Sequence, residues 1–103
     1  MKRYSNYTYI TLHVKFMKFE YDPDKSAANL EKHGIDFDEV QALWDDPYLI
    51  EAPANVTDEP RFLAVGLIRT KHWTAIYTYR SSRVRIISVR RARKQEIDYY
   101  ESD

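Results

Sequence analysis

Three strand-like runs near the C-terminal end constrain this chain more than anything else in it. Arg61 to Ile68, Trp73 to Tyr79 and Val84 to Val89 are rich in β-branched and aromatic residues, the side chains that fit a pleated, half-buried surface. The connections Arg69-Thr70-Lys71-His72 and Arg80-Ser81-Ser82-Arg83 are short enough for hairpins. Three runs so joined form an antiparallel meander. Gly66, inside the first run, marks a bulge or a place where another group comes close to the backbone.

Helical signals flank the meander. Asp22-Pro23 opens a helix from about Asp24 to His33, with Pro where a missing N–H costs least, and Gly34 stops it. Asp36 caps a second helix with Glu39 three residues on, and Phe37, Val40, Leu43 and Trp44 form its apolar stripe before Asp46-Pro47 closes it. Tyr48-Leu49-Ile50 reads as a short strand, Ala52 to Pro60 as a loop, and Lys94 to Ser102 as a final helix. The class is therefore α+β: an N-terminal strand, two helices, a meander of three to four strands and a C-terminal helix.

The first 16 residues alternate strictly over Ile10, Leu12, Val14 and Phe16, then the phase flips to Met17, Phe19 and Tyr21. A flip means a bulge or two separate strands. Met17 also stands where a domain can begin, so residues 1–16 read as an extension forming an extra strand on a domain spanning 17–103. A chain of 103 residues supports one modest core.

With no cysteine in the sequence, disulfides, thiolate catalysis and Cys-based zinc sites are excluded. No apolar run approaches a membrane span, and the N-terminus lacks the pattern of a secretory signal, so the expected location is cytoplasmic. The net charge of zero conceals a segregation. Residues 61–94 hold eight Arg and two Lys without one acid, whereas residues 17–60 hold twelve acids against three Lys. A block of that sign is a surface for a polyanion, or else a solvated face paired with the acidic half.

Arg83 and Arg85 alternate with Val84 and Ile86, and Arg90, Arg91 and Arg93 follow. Guanidinium groups bind phosphate bidentately and remain charged at any working pH. On the first helix Lys25, Asn29 and either Lys32 or His33 fall on one polar stripe, opposite Ala27 and Leu30, which are expected to face the core. Such a stripe can hold a phosphate and move a proton, or simply be solvated. Tyr77 can support proton transfer or fill the core. There is no glycine-rich phosphate loop, no His pair at metal spacing and no nucleophile elbow, so neither a metal nor another cofactor is expected.

Two stretches together resemble one family. Phe19-Glu20-Tyr21-Asp22-Pro23-Asp24-Lys25 with Asn29-Leu30-Glu31-Lys32-His33-Gly34-Ile35-Asp36-Phe37 is similar to the opening of the BrnT toxins. Glu59-Pro60-Arg61-Phe62, Val65-Gly66 and Arg85-Ile86-Ile87-Ser88-Val89-Arg90-Arg91-Ala92-Arg93, with Glu96 and Tyr99-Tyr100, match the rest. The resemblance implies a RelE-like fold and toxicity through RNA cleavage that slows translation. It also implies a BrnA-type antitoxin, which neutralises the toxin and joins it in a DNA-binding complex. On that basis Lys25, His33, Arg61, Tyr77 and Arg90 are the expected catalytic residues. Lys32, Arg83, Arg85, Arg91 and Arg93 are the expected RNA contacts. The expected partners are RNA and the antitoxin, with DNA reached only through their complex and no membrane; whether the chain forms a homodimer stays open. The competing readings are a nucleic-acid-binding module without catalysis and a protein-interaction domain that docks an acidic partner.

Overall fold

The computed structural model describes residues 2–3, 17–54 and 59–102. In chain order the elements are β1 (Lys2–Arg3), β2 (Phe19–Glu20), helix α1 (Pro23–His33), a 3₁₀ helix (Glu39–Asp45), β3 (Ile50–Ala54), β4 (Arg61–Ile68), β5 (Lys71–Arg80), β6 (Arg83–Arg91) and helix α2 (Lys94–Glu101). They build one six-stranded sheet in the order β1-β3-β4-β5-β6-β2. Only β2 runs parallel to its neighbour, and every other pair is antiparallel. The alternating residues Ile10 to Phe16 lie outside the described residues. No helix among those described is long and apolar enough to cross a membrane.

The meander forms as its sequence requires, with tighter turns than the four-residue connections suggest. Ser81 and Ser82 both take positive φ, 51° and 70°, the signature of a two-residue turn whose twist matches the flanking strands. The β4–β5 turn places Arg69 at φ 58°. Two expectations are corrected upstream. Residues Ala52 to Ala54, read as loop, are strand, because β3 pairs with Arg61 to Val65 over five residues. Tyr48 and Leu49, read as strand, precede β3, which begins at Ile50; the helix capped by Asp36 forms, as a 3₁₀ helix. Its apolar stripe is nonetheless inside: Phe37, Val40, Leu43 and Trp44 are all buried.

The sheet has two differently covered faces. On the first, α1 and the 3₁₀ helix enclose the main core with Ala64, Trp73, Ala75, Tyr77, Val84, Ile86 and Val89. Trp44 packs edge-on against Phe19 and Tyr77, with ring centroids 5.1 and 5.2 Å apart, a favoured aromatic geometry. On the second face α2 covers a smaller cluster of Ile50, Val65 and Tyr100.

Helix α1 docks by polar side chains, which reverses the expected amphipathicity. Ala27 is exposed and Leu30 is 45% exposed, whereas Ser26 and Asn29 are buried. Asn29 Nδ2 donates to the Ile35 carbonyl at 2.8 Å, and its Oδ1 accepts from the Val89 N–H at 3.2 Å. Ser26 Oγ accepts from the Phe37 N–H at 2.9 Å. Asn29 thus links the helix, the loop after it and β6, and it satisfies backbone groups that would otherwise be buried without partners.

Asp46 performs a similar task on the other side. Strand β3 begins opposite Val65, so the end of β4 has no strand beside it there. The Asp46 carboxylate fills the gap, accepting from the Leu67 N–H at 2.8 Å, the Tyr48 N–H at 2.9 Å and the Tyr100 hydroxyl at 2.7 Å. Gly66 makes room for it. A Cβ at that position would stand 3.0 Å from Asp46 Oδ2 and 3.1 Å from Leu49 Cδ1, so Gly66 answers to close approach rather than to a bulge.

Candidate nucleic-acid interface

The bulge in this sheet lies in β6, and it decides where the arginines go. Ile76 pairs with Ser88 but Tyr77 pairs with Ile86, leaving Ile87 as the extra residue. Strict alternation would send Val89 away from Val84 and Ile86. The extra residue restores the phase, so all three reach the main core. As a result Arg83, Arg85 and Arg90 share the second face, while Arg91 pairs with Trp73 on the first.

The second face is organised in three cross-strand rows. Ile50, Val65, Thr74 and Arg90 form one, beneath α2. Ala52, Leu63, Ile76 and Ser88 form the next. The third carries Ala54, Arg61, Thr78, Arg85 and Glu20; Thr78 is buried and the other four are partly exposed. Arg61 and Arg85 flank Thr78, two strand spacings apart, which places their Cα atoms roughly 10 Å from each other. Arg85 Nη1 donates to Glu20 Oε2 at 2.8 Å, with both side chains partly exposed. Arg61 has its Nε buried without a partner among the described residues. Thr78 Oγ1 donates to the Pro60 carbonyl at 2.6 Å, so its hydroxyl proton is already committed.

Arg90 is differently placed. Its guanidinium meets Glu96 through two bonds, Nη1 to Oε1 at 2.7 Å and Nη2 to Oε2 at 2.8 Å. Glu96 also accepts from Thr74 Oγ1 at 2.9 Å and from the Arg93 N–H at 2.7 Å. Burial pushes the Glu96 carboxyl up, but the hydrogen bonds from Arg90, the Arg93 backbone and Thr74, with the charge of Arg90, outweigh it and hold it at about 2. The carboxylate in turn raises the Arg90 pKa through the hydrogen bond, against the opposing effect of burial. This pair fastens α2 to the sheet.

A carboxyl held at about 2 instead of its ordinary 4.5 stabilises the fold fully above pH 4.5. That stabilisation fades as pH falls through 2, because the unfolded chain takes the proton first. The loss amounts to about 3 kcal/mol. Urea unfolding measured from pH 5 to pH 2 should show this steep decline in the wild type and a shallower one in Glu96→Gln. Equal slopes for the two proteins would remove Glu96 as its source.

The structure therefore divides the expected site residues. Arg61, Arg83, Arg85 and Arg90 are brought to one sheet face, and Arg90 is bound there by Glu96. Tyr77 is not with them: it is buried on the first face, and its hydroxyl donates to Glu51. The sheet lies between Tyr77 and the arginine row, because Tyr77 pairs with Ile86 while Arg85 pairs with Thr78. Lys25 and Lys32 are exposed on α1, the helix that covers the first face, with half-buried His33 at its C-terminal end. Asn29, expected beside them on the polar stripe, is instead turned into the protein. Arg91 holds its guanidinium carbon 5.4 Å over the Trp73 ring, and Arg93 is exposed at the start of α2. Sequence reasoning missed Thr78, Ser88 and the two carboxylates Glu20 and Glu96. Period two in β5 carries a signal for Thr78; the carboxylates lie outside the acid-free block and only the fold brings them in.

A small α+β protein with a row of partly exposed guanidinium groups on one sheet face offers counter-charge that a polyanion can use. A family model for the ribonuclease toxin BrnT of type II toxin–antitoxin systems matches residues 21–96. The chain belongs to this family of ribonuclease toxins, whose systems pair the toxin with an antitoxin. No curated protein matches the chain.

Proposed function

We propose that this protein is a metal-independent endoribonuclease whose RNA lies across the Arg61–Thr78–Arg85 row. The observation that carries this reading is the row itself, two partly exposed guanidinium groups flanking Thr78 on one sheet face. In such a reaction the ribose 2′-oxygen attacks the adjacent phosphorus as its proton leaves to a base, and the bond to the 5′-oxygen breaks as that oxygen takes a proton from water. Charge grows on the phosphoryl oxygens, where fixed guanidinium groups stabilise it most. Arg61 and Arg85 take this role, and exposed Arg83 binds a flanking phosphate. Glu20 is the carboxylate of this row, hydrogen-bonded to Arg85, and accepts the 2′-hydroxyl proton. This replaces Lys25 and His33, which belong to the other side of the sheet. Arg90 contributes positive charge and holds α2 in place.

The activity slows translation in the cytoplasm, and a BrnA-type antitoxin neutralises it by covering the same face with acidic side chains. Incubation of purified protein with labelled RNA in excess EDTA is the test. Fragments ending in a 2′,3′-cyclic phosphate are expected, with 5′-hydroxyl partners. Activity that appears only after a divalent cation is restored would overturn the metal-independent mechanism.

A further inference from the structure

A second basic site lies on the opposite face, at the other end of the sheet from the Ser81-Ser82 turn. A cleft of about 300 Å³ opens between the end of α1 and the β4–β5 turn, with Ile35, Glu39, Ile68, Arg69, Lys71 and Trp73 in its lining. Its volume is at the lower end of small-ligand pockets. Three features give it chemical character. The floor is apolar, with Ile35 and Trp73 buried and Ile68 half-buried. Arg69 and Lys71 are exposed and make no ion pair among the described residues. Glu39 is likewise exposed, and its carboxylate is also unpaired among the described residues. Arg91, outside the lining, lies over the Trp73 ring. Arg69 holds a left-handed φ of 58°, a conformation that a non-glycine residue adopts at some cost.

A bare phosphate does not suit this cleft, because Glu39 would repel it. A nucleotide does. Its phosphate meets the two cations, its base lies on the apolar floor, and its edge meets a carboxylate. Among the four RNA bases only guanine offers two adjacent donors on its Watson–Crick edge, N1–H and N2–H, to the two oxygens of a carboxylate. Adenine, cytosine and uracil each set an acceptor beside their donor. We propose that this cleft is a guanine-nucleotide subsite for single-stranded RNA, with Glu39 reading the base and Arg69 and Lys71 holding the phosphate. The proposal rests on the ribonuclease reading and names the sequence that the enzyme prefers.

The test uses the full chain and 2′-O-methyl oligonucleotides, which bind without being cut, carrying one guanosine or one adenosine among uridines. The guanosine form is expected to bind roughly 10-fold more tightly, and Glu39→Gln should abolish that preference. Arg69→Ala with Lys71→Ala should weaken both oligonucleotides and lower the salt slope of log K by about 0.7, the value for one phosphate no longer neutralised on a single strand. Melting curves confirm that these exposed substitutions leave the fold intact. An unchanged guanine preference in Glu39→Gln, or an unchanged salt slope in the double variant, overturns the subsite. So does loss of poly-glutamate binding in the double variant with RNA binding intact, which assigns the cleft to an acidic protein segment. Wild type that cuts RNA without guanine preference overturns the subsite and leaves the ribonuclease reading standing. Wild type that neither binds nor cuts RNA overturns both.

Discussion

Arg85→Ala is expected to lower the single-turnover rate of RNA cleavage by roughly 100-fold or more, with Arg61→Ala close behind. Each substitution removes a fixed cation from the point where phosphoryl charge accumulates, so the loss falls on the chemical step more than on RNA affinity. Neither side chain is part of the main core, and the Arg85–Glu20 pair is partly exposed, so its contribution to stability is small. The thermal midpoint should stay within about 5 °C of wild type. Arg90→Ala makes the informative contrast. It leaves the buried Glu96 carboxylate without its guanidinium partner, so its main effect should be on the melting curve. Full cleavage by Arg61→Ala and Arg85→Ala would remove the third row as the catalytic surface. A rate loss in Arg90→Ala without any loss of stability would move that surface toward α2.

The second large effect concerns stability. Asp46→Ala should destabilise the fold by about 4 kcal/mol, because two N–H groups and a buried tyrosine hydroxyl lose their shared acceptor. For a chain of this size that corresponds to a fall of roughly 20 °C in thermal midpoint. It is also a large part of the total stability such domains possess. Asp46→Asn keeps one acceptor oxygen and turns a donor toward the others, so it should fall between the two. If Asp46→Ala melted like wild type, the end of β4 would not depend on this carboxylate.

Much of this architecture is legible in the residues, for reasons that differ by element. Strand β4 spans Arg61 to Ile68 as read, because β-branched side chains and short connections act locally and point to one outcome. Helix α2 ends one residue before the reading. Helix α1 was found, yet its buried face was not. Leu30 looks like a core residue and Asn29 like a surface one, and only the approach of the Ile35 carbonyl and the Val89 N–H shows that the polar side chain belongs inside. The same limit applies to the site. Five arginines within eleven residues announce a basic surface, but the bulged Ile87 distributes them and Glu96 claims one of them. Tyr77 shows the reverse: an aromatic hydroxyl suited to chemistry is held in the core by Glu51. Side chains whose partners lie dozens of residues away leave no periodic trace.

The alternation of β6 past its extra residue has a consequence for valency. Arg90 and Arg91 are adjacent along the chain but emerge on opposite sides of one sheet. No single phosphate can bridge them. A basic stretch that looks like one adhesive patch is delivered as two separate grips, and a long flexible polymer that passes around the sheet's end can hold both. Each grip then raises the effective concentration of the polymer at the other. Short fragments that fill only one grip forfeit that gain, so the products of a cut would leave more readily than the intact strand.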